Sequence, residues 1–236
     1  MDLIEELLDD KDFTFFPEEL LNENGAVVGV DVEFISGSIN FNWFDIASKI
    51  QPYIKKGDID SSIKIVINEL KEIPDTPFHN VVNCKFRNSP EEIADYITEF
   101  IEKERERIDI KSVYIEMNDF DINPDIWFFD LFAYKIHGGH DDYDWLSNWH
   151  SDNYSSITLA GAEELQKIYE NYENGKYEEE ENEEDYSNAR DLASLLIVLY
   201  FQKLIKEAAA LIDNLQIPIL ATAHGYDLIY EYDENY

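Results

Sequence analysis

The sequence predicts an α+β fold: one domain over residues 1–236, with a mixed or largely antiparallel sheet packed against several helices. Three observations predict it. Apolar residues make up 44% of the chain and aromatics 14%, against 9 Gly and 7 Pro, which is ample material for a core. Two strand-like runs, 111–117 and 126–136, flank the short Asp- and Asn-rich stretch 118–125, the layout of a hairpin and so of antiparallel pairing. The acidic run 178–185 is the one plausible internal break, and the helical patterns on both sides of it are apolar enough to share one core.

Residues 3–8 form a short amphipathic pattern. Over 25–35, Val28, Val30, Val32 and Phe34 mix with Asp31 and Glu33, as in a strand with one wet face. A helix is expected over 43–55, with Phe44, Ala47 and Ile50 at helical spacing and Gly57 as its stop. Residues 63–70 fit either period: Ile63, Ile65 and Ile67 a strand, Ile63, Ile67 and Leu70 a helix. A strand is expected over 81–86. The clearest local signal follows it. Ser89 can cap a helix, Pro90 suits its first position and Glu92 can close a capping box. That helix should carry Ile93, Ile97, Phe100 and Glu104 to about Arg107.

Beyond the hairpin, 137–156 is polar, and a helix is expected over 161–172. Glu178 to Asp185 is acidic except for Asn182, so a flexible acidic loop is expected over 174–187. A long helix should then run from about Asn188 to about Asn214. Its stretch 192–201 is far too short to span a bilayer and reads as buried. An apolar strand over 217–223 and a short one over 226–232, with Tyr226, Tyr230 and Tyr232 on one face, close the chain.

Charge narrows the function classes. The chain carries 52 Asp+Glu against 18 Lys+Arg, a formal net charge of −34. Such a surface repels phosphates and anionic membranes and attracts basic proteins and cations. Direct nucleic-acid binding is disfavoured: the one basic cluster, Lys103, Arg105 and Arg107, alternates with glutamates. Stability is expected to rise with added salt as screening relieves self-repulsion. Cys84 is the single cysteine, so no intrachain disulfide is possible. With an N-terminus lacking a basic signal-peptide region, this leads us to expect a cytoplasmic protein.

Three stretches could carry chemistry. With Asp119 as position one of a calcium loop, Asp121, Asn123 and Asp125 fall at positions three, five and seven and Asp130 at twelve. Pro124 stands where such a loop wants Gly, and Asp130 where it wants Glu. A strand-to-strand turn built from Asx side chains explains the same residues without a metal. No cofactor is expected, with calcium in this loop as the alternative. His137, His140 and His150 share a second stretch, where zinc would accept two imidazoles and a carboxylate. The Gly138-Gly139 pair reads first as a turn. The same stretch places Tyr143, Trp145, Trp149 and Tyr154 among Asp141, Asp142, Asp144 and Asp152, aromatic anchors and carboxylates able to grip a basic partner. The alternative is that Trp145 and Trp149, four apart, pack onto the core. The third stretch is the acidic run, a clamp for a basic protein or a solvated loop.

Phosphate-binding Gly-rich loops, His-Glu-x-x-His and Gly-x-Ser-x-Gly are absent from the sequence, and Cys84 falls within an expected strand as a buried structural thiol. His224 lies at a strand end, a place where active-site residues occur. An enzyme using His137, His140 or His224 with nearby acids is therefore a lesser alternative. In composition the chain resembles bacterial immunity proteins and phage DNA mimics. That resemblance implies a stoichiometric inhibitor that occludes the basic cleft of a nuclease or other toxin; the aromatic-acidic stretch supplies the expected interface, Asp141, Asp142, Tyr143, Asp144, Trp145, Trp149 and Asp152.

Overall fold

A computed structural model describes residues 17–21, 27–32, 43–140, 142–152, 156–177 and 182–233. The expected helix over 3–8 lies outside them. The chain divides into two compact units, Met1–Phe41 and Asn42–Tyr236. In the first, strands β1 (Pro17–Leu21) and β2 (Val27–Val32) pair antiparallel, Pro17 opposite Val32, with an irregularity between Leu20 and Leu21. β2 lies within the strand expected over 25–35. β1 is a strand that the sequence pattern does not announce.

The second unit holds a five-stranded sheet and its helices, the α+β arrangement the sequence predicts. Helices α1 (Trp43–Ile54) and α2 (Ile59–Leu70) come first. In α1 the row Ile46, Ile50 and Ile54 is buried together with Ala47. Phe44, expected on that face, is instead 69% exposed. It stands two residues, about 200° of helical turn, from Ile46. Packing settles the ambiguous 63–70 as helix, because Ile63, Val66 and Leu70 form one buried stripe.

The strand expected over 81–86 is not formed. Residues Pro77–Asn83 are a 3₁₀ helix that buries Phe78 and Val81. Pro77 opens it, and the Thr76 N–H donates to His79 Nδ1 at 3.1 Å while His79 Nε2 reaches the Leu70 carbonyl at 2.9 Å. Cys84 therefore follows a helical turn and is half-buried; burial pushes its thiol up to about 11. Helix α3 (Pro90–Arg105) starts where the capping signal places it. Glu92 N–H donates to Ser89 Oγ at 3.1 Å, and Ser89 N–H donates back to Glu92 Oε2 at 3.3 Å.

Strands β3 (Ser112–Met117) and β4 (Phe128–Tyr134) form the expected antiparallel hairpin, Ser112 opposite Tyr134. Its turn is closed by Asx groups: Asn118 Oδ1 accepts from Phe128 N–H at 2.9 Å and Asp119 Oδ2 from Asn123 at 2.6 Å. Strand β5 (Ser156–Thr158), unforeseen, pairs with β4. Helix α4 spans Glu163–Glu173 and helix α5 Glu183–Ala209. The long helix thus begins five residues before the expected start. Glu183, Glu184 and Asp185 form its first turn, where carboxylates oppose the positive end of the helix dipole. Strands β6 (Ile219–Ala223) and β7 (Tyr230–Tyr232) complete the order β5-β4-β3-β6-β7. Among the described residues only the β3–β6 pairing is parallel.

Helix α5 is buried all round from Leu192 to Leu199, where the single polar side chain, Ser194, meets the Tyr169 hydroxyl at 2.8 Å, and it lies between the sheet and helices α2 and α3. Phe201 packs 5.5 Å from Phe129, and Gln202 Nε2 donates to the carbonyls of Ala221 and Leu228. Among the described residues no helix is long and apolar enough to cross a membrane.

Candidate functional site

Strand alternation gives the sheet two unlike faces. In register, Val113, Ile115 and Met117 of β3 stand beside Ala133, Leu131 and Phe129 of β4 and Ile219, Ala221 and Ala223 of β6. This row looks toward α5. The opposite row holds Tyr114, Phe132, Tyr134 and Leu220, covered by Tyr143, Trp145, Leu146 and Ile229 rather than by a long helix.

The cover is the segment that leaves β4. It passes through His137-Gly138-Gly139-His140 into a 3₁₀ turn, Asp144–Ser147. The Trp145 ring meets Tyr134 edge-on at 5.1 Å, and its indole N–H donates to the Gly139 carbonyl at 3.3 Å. Tyr134 OH donates to the Leu146 carbonyl at 2.7 Å. The chain passes so close to the indole that a Cβ on Gly138 would lie 2.2 Å from Trp145 Cδ1. Burial raises the Tyr114 and Tyr134 hydroxyls far above their ordinary value, and the Glu116 charge raises them further.

Two carboxylates sit at the margins of this outer face. Glu116 accepts from Tyr114 OH at 3.1 Å and stands 3.3 Å from His224 Nδ1. Glu231, opposite Leu220 in register, meets both histidines of the Gly-Gly turn: Oε1 is 3.3 Å from His137 Nε2, and Oε2 is 3.2 Å from His140 Nδ1.

A pocket opens beyond the carboxyl ends of the parallel pair β3 and β6, the end where ligands bind in parallel sheets. Trp43, Asp119, Asp121, Ile122, Asp191, His224 and Tyr226 line it. Tyr226 stacks on Phe120 and donates to Asp121 Oδ2 at 3.1 Å. Burial raises the Asp191 carboxyl, with Arg190 opposing and Asp121 adding to the rise.

The predicted residues disperse. Asp119 and Asp121 enter the pocket, Asn123 holds Asp119, and Asp125 is exposed. Asp130 lies on β4, opposite Glu116, and accepts from Ser156 Oγ. The ligand-type side chains that converge at metal spacing, among the described residues, are instead His137, His140 and Glu231. His150 is not with them; its Nδ1 accepts from the Lys135 N–H at 3.4 Å.

Of the aromatic-acidic stretch, Asp141 and Tyr154 lie outside the described residues. Trp145 and Tyr143 are half-buried in the cover, whereas Trp149 is 44% exposed, 5.4 Å from Phe132. Asp142 Oδ1 accepts the Asp144 N–H at 2.7 Å, and both residues are exposed. Asp152 pairs with Arg107 Nε at 3.1 Å. Sequence reasoning missed Glu231 and Glu116 as histidine partners. Each is distant in sequence from its histidines, and in so acidic a chain no local signal marks them. No protein-family model, no curated protein and no solved structure matches this chain.

Proposed function

We propose that this chain is an acidic protein-interaction module of the cytoplasm, a stoichiometric inhibitor or immunity protein. It occludes the basic cleft of a nuclease or other toxin by setting carboxylates where phosphates would lie. The observation that carries this reading is electrostatic. The chain has a formal charge of −34, and Lys49, Arg87, Arg107, Lys111, Lys167, Arg190 and Lys203 are each engaged by carboxylates of the chain itself. A large surplus of carboxylates therefore faces outward, and its field steers basic partners. Trp149, the exposed aromatic beside the cover, supplies the apolar anchor that charge alone lacks.

Capture from a lysate of the native host, eluted by a salt gradient, tests it. The expected result is one basic protein, released in stoichiometric amount at high salt, whose activity the chain inhibits and whose capture weakens about tenfold or more on Trp149→Ala. Scattered basic proteins released together at modest salt overturn the reading.

A second reading, cation binding in the pocket, is favoured by one observation: Asp119, Asp121, Asp191 and His224 line the same cavity. A rise in melting temperature with millimolar calcium, lost in Asp121→Ala, supports it; an unchanged melting temperature ends it.

A further inference from the structure

The geometry points to a binding site for a divalent transition metal of the zinc class, formed by His137 Nε2, His140 Nδ1 and the Glu231 carboxylate. Its three ligands come from two places, the Gly-Gly turn after β4 and the edge strand β7. The site is separate from the calcium-type loop and does not depend on the partner reading.

Spacing is the first argument. Atoms held about 2.0–2.1 Å from a tetrahedral ion stand roughly 3.4 Å apart. The separations are 3.3 Å from His137 Nε2 to Glu231 Oε1 and 3.2 Å from His140 Nδ1 to Glu231 Oε2, so the two imidazoles face different oxygens of one carboxylate, and one ligand atom from each residue lies within 4.8 Å of the others, near enough for one ion to draw them together. Two imidazoles and one carboxylate match the donor set of zinc sites that keep a fourth position for water.

The second argument is unsatisfied polarity. His137 Nε2 and Glu231 Oε2 are shielded from solvent, and among the described residues their contacts at 3.3 and 3.2 Å within the cluster are not aligned as hydrogen bonds. The Glu231 side chain is 16% exposed and that of His137 25%. Shielded polar atoms ordinarily find partners. One cation seated between these atoms satisfies both at once, and the surrounding negative charge favours its approach.

Ligation has a structural consequence. Gly139 N–H lies 3.3 Å from His137 Nδ1, which makes that nitrogen an acceptor. A neutral imidazole ligating through Nε2 carries its proton on Nδ1, so the metal reverses the tautomer and displaces this long bond. The turn has room to adjust: Gly139 has φ +87°, and nothing lies within 4 Å of where its Cβ would be. Once bound, the ion ties the cover to β7 across the outer face.

The test uses the full chain, stripped with chelator and titrated with zinc chloride by calorimetry in the presence of a competing chelator dye. Expected are one ion per chain, a raised melting temperature and a nitrogen NMR shift in which His137 changes tautomer. Glu231→Gln and His140→Ala should each weaken binding about tenfold or more, whereas Asp121→Asn and His224→Ala leave it unchanged. His140 is 54% exposed, so its variant reports even where Glu231→Gln disturbs folding. Weak multi-site binding only, or affinity unmoved by His140→Ala, overturns the proposal.

Discussion

The two faces of one sheet solve burial differently. Against α5 the sheet presents Ile115, Leu131, Phe129 and Ala221, all fully buried, and the partner is a helix whose middle, residues 192–199, is buried on every side. On the other face Tyr114, Phe132, Tyr134 and Leu220 lie under a loop, with two carboxylates and three histidines at the margins. A helix satisfies its own backbone and can offer unbroken apolar surface. A loop must bond its polar groups to something, so the Trp145 indole, the Tyr134 hydroxyl and nearby carbonyls are tied together. The difference teaches where to look: the inner face holds the fold, and the outer face gathers groups that can exchange protons, ions or partners.

The sharpest test of that contrast is Phe201→Ala on the inner side. It should cost about 3–5 kcal/mol in urea unfolding, since Phe201 is fully buried against Phe129. On the outer side Gly138→Ala drives a methyl into the Trp145 ring and should cost about 1–3 kcal/mol. Its mark is a lost near-ultraviolet tryptophan signal with far-ultraviolet helicity retained. An equal loss of both signals would mean that the cover and the core unfold as one.

Protonation offers a finer contrast. Burial raises Asp191 above its ordinary 3.8, so the folded chain holds that proton more tightly than the unfolded chain. Its contribution to stability is full below the ordinary value and is lost as pH rises through the raised one. Asp191→Asn should therefore melt higher than the parent at neutral pH and match it in acid. Asp60 behaves oppositely. Its hydrogen bond from Lys203 lowers the carboxyl, giving stability above the ordinary value that vanishes as pH falls through the lowered one. Because this pair is exposed, Asp60→Asn should cost only a few tenths of a kcal/mol, roughly, at neutral pH. A comparably small stability effect, within about 0.5 kcal/mol in the same unfolding assay, is expected for Trp149→Ala. A larger loss would assign Trp149 to the core and remove the exposed anchor from the proposed interface.

Features written in adjacent residues are legible in the sequence by itself. The Ser89–Glu92 box opens α3 where its spacing places it, because a cap is made between residues three apart. The run 192–201 reads as a buried helix because apolar residues around nearly its whole circumference leave it nowhere else to go. The β3–β4 hairpin follows from two apolar runs and an Asx-rich turn. Where local preference is balanced or misleading, distant packing chooses. Residues 63–70 become helix, and 77–83 a 3₁₀ turn over Phe78 and Val81. The two tryptophans four apart are divided, one into the cover and one toward solvent. Farther still from local reach lie the parallel pairing of β3 with β6 and the meeting of Glu231 with His137 and His140. Caps and turns depend on neighbours along the chain; pairings and clusters depend on which surfaces are brought together when the sheet closes on α5.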